Sequence, residues 1–291
     1  MTTQSPINAL TFDVEDYYQV SGFERYISRD NWDQYESRVK ANTDKILKLL
    51  DKHQVKATFF VLGKVAEQDP SIVMDIYNAG HEVASHGYSH KLVYNQSQQE
   101  FEDETKRSKD LLESIINKPI LGYRAASYSI TKKSLWALEI IDRLGFSYDS
   151  SIFPIYHDRY GIDDFDRKIK SINYKNYSSK LIEFPITSVK FLNHNIPAAG
   201  GGYFRLYPYA LTRYFLNLYL AKENQPFIFY LHPWEFDPEQ PKIPGLNLFT
   251  RFRHYNNIKK CSARLEQLIN DFSFSRVDSL LIESGFIEKP L

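Results

Sequence analysis

The sequence predicts an α/β fold built on a parallel sheet of about seven strands, most simply closed as a barrel. Two observations carry this. Short apolar segments alternate with amphipathic helical segments along most of the chain. Residues able to do chemistry fall at the ends of the apolar segments, and in a parallel barrel those C-terminal ends converge on one face. An open doubly wound sheet is the alternative. No G-x-G-x-x-G or phosphate-binding glycine loop follows any strand, so dinucleotide and nucleoside triphosphate sites find no support.

In chain order, residues 9–12 are the first strand. Residues 32–53 have helical spacing, with Tyr35, Val39, Ile46, Leu47 and Leu50 on one side. Residues 56–62 read as a buried strand ended by Gly63. Pro70 opens a short helix over 72–79, and Gly80 stops it. Residues 82–85 are a short strand. Ser97 and Glu100 have the capping-box spacing and start a helix to about Ile116. Residues 120–124 are the next strand, 131–144 a helix closed by Gly145, and 146–149 a strand again. The polar and aromatic span 154–180 reads as a long insertion. Residues 181–187 make a rim or edge strand, because Pro185 lacks a ladder donor. A helix over 209–222 leads into a buried strand over 226–232, and two helices follow over 257–271 and 276–284. The segment NLFTRFRHY, 247–255, mixes aromatic and basic side chains. It reads as a loop over the barrel, with contact to a lipid carrier or membrane surface as the alternative.

Composition narrows the function classes. With 21 Tyr, 20 Phe and 3 Trp, aromatics suffice for a core and for a surface that stacks on sugar rings. Lys+Arg and Asp+Glu are both 36, so the net charge of zero gives no sign of a nucleic-acid or anionic-membrane partner. Cys261 is the single cysteine, so no intrachain disulfide forms, which fits a reducing compartment. The start, MTTQSPINAL, lacks the regions of a signal peptide, and no apolar run spans a bilayer. The expected location is cytoplasmic, free or peripheral to a membrane.

The chemistry begins at the end of the first strand. Asp13, Glu15 and Asp16 crowd together there, and three carboxylates repel unless a cation sits among them. Alone, they could be a solvated turn. The second stretch, SHGYSH, places His86 and His90 four residues apart, so one helical turn would put both rings on one side. Two imidazoles and a carboxylate make an open three-ligand metal site. His81, on the preceding turn, reads as structural.

Five segments occur in order between Thr11 and Asp237: TFDVED, SHGYSH, GYRAASYS, YDSSIFP and FYLHPWEFD. Together they make the chain resemble the polysaccharide deacetylases with a NodB homology domain, carbohydrate esterase family 4. HDRYG, GGGYFRLYP and LHPWEFDPEQP look like a subgroup found with bacterial exopolysaccharide and O-antigen clusters. The resemblance implies a single domain over 1–291 with a distorted (β/α) barrel. It implies a divalent metal, most commonly zinc, and removal of an acetyl group from an N-acetylated sugar of a polysaccharide or its lipid- or nucleotide-linked precursor. By the same resemblance Asp13 is the general base, and His86 and His90 are metal ligands. The family's usual second aspartate is Val14 here, so the metal carboxylate is Glu15, or Asp16 if the chain turns at Glu15. Arg124 would hold the base carboxylate. His232 would be the general acid, and Asp149 would orient it or cap a strand end. Tyr128, Tyr203 and Trp234 are candidates for sugar stacking or for core packing. The competing functions are hydrolysis of another linear or cyclic amide on the same scaffold, and glycan binding without catalysis.

Overall fold

The computed structural model describes residues 6–174, 177–192 and 194–289. Strand β1 (Ile7–Val14) lies one place in from an edge of the sheet, and all but its first residue are buried. Helix α1 (Val39–Lys52) returns the chain to β2 (Thr58–Val61), which pairs in parallel with residues 11–14 of β1. Two short helices, α2 (Gly63–Gln68) and α3 (Pro70–Asn78), precede β3 (Glu82–Ser85). Helix α4 (Gln98–Ile116) begins at the Ser97–Glu100 capping box and leads to β4 (Gly122–Tyr123). Helix α5 (Trp136–Arg143) leads to β5 (Tyr148–Asp149). The next pair, β6 (Lys170–Tyr174) and β7 (Tyr177–Glu183), is antiparallel, while β7 is parallel to β5. A separate hairpin follows, β8 (Ser188–Phe191) with β9 (His194–Pro197). Helices α6 (Gly201–Leu206) and α7 (Tyr209–Glu223) lead to β10 (Ile228–Leu231), which pairs in parallel with residues 9–12 of β1. Last come α8 (Leu248–Tyr255), α9 (Cys261–Asp271), β11 (Ser273–Ser275) and α10 (Val277–Glu283).

The strand order β10-β1-β2-β3-β4-β5-β7-β6 places the seven expected parallel strands side by side in chain order around a curled sheet. Ala9 pairs with Ile228 on one side and Ser275 on the other, so β11 extends the β2 side of β1. β2 and β10, which flank β1, are buried along their whole length because both faces are covered. Phe12 and Phe59, for example, stack at 5.0 Å and are fully buried. The gap between β7 and β10 is bridged by irregular chain. The amide of Ala198 donates to Thr187 O, the amide of Tyr230 donates to Ala199 O, and Gly200 bridges Tyr230. Gly200 has φ of 115°, and a Cβ there would lie 1.9 Å from Tyr230 O, so only glycine fits this seam.

Several boundaries differ from the sequence reading. The regular helix expected from Trp32 starts at Val39, after a 3₁₀ segment over Arg29–Gln34. Trp32 and Tyr35 instead pack with Tyr17, Tyr18 and Phe23 in a second apolar cluster. The helix expected from Thr131 starts at Trp136, because Ser134 Oγ accepts the amide of Thr131 and holds a turn. The span 154–180 holds β6 and the start of β7, so the rim or edge strand expected over 181–187 begins at Tyr177, ends at Glu183 before Pro185, and is flanked by β5 and β6. The stretch read as a loop over 247–255 is α8, whose first turn is capped by Asn247 Oδ1 accepting the amide of Thr250. No described helix is long and apolar enough to cross a membrane.

Candidate active site

The C-terminal ends of β1, β3, β4 and β10 bring the expected residues to one face. Arg124 follows β4 and is fully buried inside the barrel. Its Nη1 donates to Asp13 Oδ1 at 2.6 Å and to Thr11 Oγ1 at 2.8 Å. Its Nε and Nη2 donate to the carbonyl and the hydroxyl of Ser150. The guanidinium also lies 3.9 Å over the Phe60 ring. A buried charge is tolerated here because a carboxylate and three neutral acceptors meet it. Asp13 is thereby fixed through one oxygen, and its Oδ2 faces His232 Nε2 at 3.9 Å.

Of the two carboxylates the sequence left open, Glu15 joins the histidines and Asp16 turns away. Asp16 Oδ1 accepts the amide of Tyr17, and Oδ2 accepts the amides of Arg38 and Val39 and the hydroxyl of Ser37. It therefore satisfies the start of α1 and has no part in the cluster, which corrects its expected place among the ligands. Ligand atoms of Glu15, His86 and His90 all lie within 4.8 Å of one another, and all three residues are buried.

The donor set passes a physical test for a cation. The Nδ1 of His86 meets the carbonyl of Arg124 at 2.9 Å, so Nδ1 carries the proton and the Nε2 lone pair is free. His90 Nε2 lies 2.7 Å from Glu15 Oε2, yet that buried oxygen has no aligned hydrogen bond. Two lone pairs at that distance repel unless a proton or a cation lies between them. Nδ1 of His90 is also buried and unpartnered, so nothing outside the cluster fixes its tautomer. Burial favours the neutral form of His86 and lowers its pKa to about 4, although Asp13 and Glu15 pull the other way. For Glu15, burial favours the neutral acid, but His90, His232 and His86 outweigh it and lower its pKa to about 2.

His232 has an orienting partner that the sequence reading missed. Its Nδ1 lies 2.7 Å from Glu235 Oε1, which also accepts the His232 amide at 3.1 Å. The other oxygen of Glu235 accepts from Arg205 Nε at 2.6 Å. Arg205 further donates to the carbonyls of His254 and Asn256, so this buried ion pair is fully engaged. Asp149 does not fill the orienting role. It accepts from the hydroxyl and amide of Ser151 and is hydrogen-bonded to Glu183. Burial raises Asp149 to about 6, and burial together with the Asp149 charge pushes Glu183 well above the carboxylate range. Burial and mutual repulsion therefore favour one proton on this carboxyl pair. The i, i+3 spacing of His232 and Glu235, with Pro233 between them at the first helical position, was a readable signal for their bond. Arg205 lies in the sequence motif GGGYFRLYP, which gives no local sign of its partner.

A cleft of about 240 Å³ opens above these groups, lined by Glu15, His232, Trp234, Tyr128, Arg205 and Tyr230 among others. Trp234 is sandwiched between His232 and His254, with ring centroids 5.1 and 4.3 Å away. Its Nε1 donates to Glu15 Oε1 at 3.2 Å, so it braces the cluster as well as lining the cleft. Tyr128 has φ of 55° and packs edge-on against Phe153, Tyr160 and Tyr230. Its hydroxyl is buried without a partner. Tyr203 does not line the cleft; it is hydrogen-bonded to Tyr160, which does. His81 accepts the amide of Ala57 through Nδ1, away from the cluster.

Residues 2–148 match the polysaccharide deacetylase family, and residues 150–282 match a domain of unknown function, DUF3473. Over 142 residues the chain is 30% identical to a peptidoglycan deacetylase of Helicobacter pylori, covering 47% of this chain and 47% of that protein. Over 120 residues it is 31% identical to a peptidoglycan-N-acetylglucosamine deacetylase of Bacillus cereus, covering 37% and 44%. The chain thus spans about half the length of these curated relatives. A solved structure of a protein provisionally called a polysaccharide deacetylase, from Mycobacterium smegmatis, superposes with a TM-score of 0.59 at 16% identity, over 97% of this chain and 92% of that one. That likeness speaks for the fold.

Proposed function

The chain belongs to the polysaccharide deacetylase family, and from that premise we propose that it hydrolyses the N-acetyl amide of a sugar in a bacterial glycan or its lipid- or nucleotide-linked precursor. The observation that carries this reading is the meeting of three groups. Asp13 Oδ2 and Glu15 Oε1 lie 3.9 and 3.8 Å from His232 Nε2, beside the Glu15–His86–His90 cluster. The whole chain, 1–291, acts as one unit, since Asp13 and His232 lie in the two separately matched segments.

Glu15, His86 and His90 would hold a divalent ion, and two nitrogens with one oxygen suit zinc. Such an ion supplies a Lewis acid for the amide carbonyl and the attacking water. Asp13, held through Oδ1 by Arg124, takes the proton of the water at Oδ2. Water attacks the carbonyl carbon, the C–N bond breaks, and His232 gives its Nε2 proton to the leaving amine. The products are acetate and a free amino sugar. Glu235 keeps the Nδ1 side of His232 occupied, so Nε2 is the nitrogen that faces the substrate. At 3.9 Å apart, base and acid can both reach a single reacting group placed beside them in the cleft. Tyr128 and Trp234 shape the cleft walls that a pyranose ring would lie against.

The test is acetate release from N-acetylglucosamine oligomers and other N-acetylated glycans, with chelated, zinc-restored and untreated arms. Acetate should appear mole for mole with free amine, stop after chelation and return with zinc. An undiminished rate after exhaustive chelation would remove the ion from the scheme. Ammonia from small linear or cyclic amides, with no acetate from any glycan, would transfer the site to another amide.

A further inference from the structure

The zero net charge of the chain conceals a regional excess. Between Glu239 and Arg264 there are six Lys and Arg residues and one acid, so 6 − 1 = +5. Five of those cations, Lys242, Arg251, Arg253, Lys259 and Lys260, are exposed, and none pairs with an acid among the described residues. Within this stretch α8 holds three apolar side chains out in solvent: Leu248 is 84% exposed, Phe249 68% and Phe252 54%. Leu248, Arg251 and Phe252 share one face, at i, i+3 and i+4. The opposite side carries His254, which is buried against Trp234.

We propose that α8 and its flanking cations form a docking surface for an anionic lipid bilayer. Exposed apolar side chains on a short helix, with unpaired cations on that helix and flanking it in the chain, match an interfacial anchor: the apolar tips enter the acyl boundary and the cations meet headgroup phosphates. A stable protein interface needs about 800 Å² on each partner, and three side chains on a two-turn helix fall short of that. Phe249, Thr250 and Arg253 also line the cleft above His232. Docking therefore turns the cleft mouth toward the headgroups, where a lipid-linked glycan would be held. That last orientation rests on the deacetylase reading; the binding does not.

The test is co-flotation of the full chain with vesicles of phosphatidylcholine alone or mixed with phosphatidylglycerol. Binding should require the anionic lipid and weaken as salt is raised. Leu248→Ser with Phe252→Ser should weaken it by about tenfold or more. Lys259→Gln with Lys260→Gln should weaken it by roughly 25-fold. Circular dichroism would show that each variant is folded. Equal binding to both vesicle types, or unchanged binding by the folded variants, would overturn the proposal. So would self-association that the Leu248→Ser, Phe252→Ser pair abolishes in a chain that does not float with vesicles, since a second copy would then cover α8. If the chain floats but releases no acetate, the deacetylase reading fails and the surface stands.

Discussion

His86, buried, and His232, half-buried, stand at the mouth of one barrel, and their protonation is driven in opposite directions. Burial favours the neutral imidazole in each case. His86 meets a neutral carbonyl at Nδ1, with Arg124 and His90 nearby, and its pKa falls to about 4. For His232 burial is outweighed by the Glu235 hydrogen bond and by the charges of Glu15, Glu235 and Asp13, and its pKa rises to about 9. At neutral pH the first is a lone-pair donor suited to a metal and the second a proton donor. The partner at Nδ1 differs too, a backbone oxygen in one case and a carboxylate in the other. One residue type is thus tuned in two opposite ways about one cleft.

The most drastic way to break the contrast is His86→Ala. It removes one of the three proposed ligands, so activity should fall to background and the purified protein should lose its stoichiometric ion by elemental analysis. Full ion occupancy in that variant would move the metal site elsewhere. Asp13→Asn comes next. It should keep the ion and the substrate affinity while kcat falls on the order of 10²- to 10⁴-fold, or roughly 3–5 kcal/mol of barrier. An ion-free Asp13→Asn protein would make Asp13 a ligand.

Glu235→Gln sharpens the comparison without emptying the site. It removes the negative partner that raises His232, so the alkaline limb of the pH–rate profile should move down from about 9 by about 1–2 units. An unmoved limb would mean that another group donates the proton. The same group links pH to stability. Its folded pKa, about 9, exceeds the unfolded value of 6.5, so in the ion-free protein its stabilisation is complete below about 6.5 and is lost as pH rises through about 9. The smallest effect belongs to Asp16→Ala. Removing the acceptor for Arg38 and Val39 should cost about 2–3 kcal/mol in denaturant unfolding, with ion content unchanged. Loss of the ion there would return Asp16 to the ligand set.

Much of the scaffold was legible because each parallel strand is an apolar run bounded by a turn residue. β2 before Gly63 and β10 before His232 are examples. The Ser97 capping box marked the start of α4 to the residue, since both of its reciprocal bonds form. What escaped were features set by distant partners. The start of α1 is fixed by Asp16, more than twenty residues upstream, and periodicity alone placed it early at Trp32. The β8–β9 hairpin has no glycine turn to mark it. At the site, Asp13, Glu15, His86 and His90 stood out by type and spacing. Glu235 was passed over because the family pattern directed attention to Asp149, whose charge is spent on Ser151 and Glu183. Arg205 reaches Glu235 across thirty residues, a distance at which a sequence carries no geometric signal.

The pairing of β1 has a consequence for how the chain is made. Emerging from the ribosome, it brings β2 early to cover one side of β1, and Glu15, His86 and His90 are all made soon after. The other side is covered only by β10, and the lower half of the β2 side only by β11. A nascent chain could therefore own its ion-binding cluster while an apolar strand edge still lies bare. Such an edge is a template for pairing with another chain. β1 is among the last strands to be enclosed, so the interval between translating Val14 and translating Ser275 is the period in which this part of the protein is most exposed to misassembly.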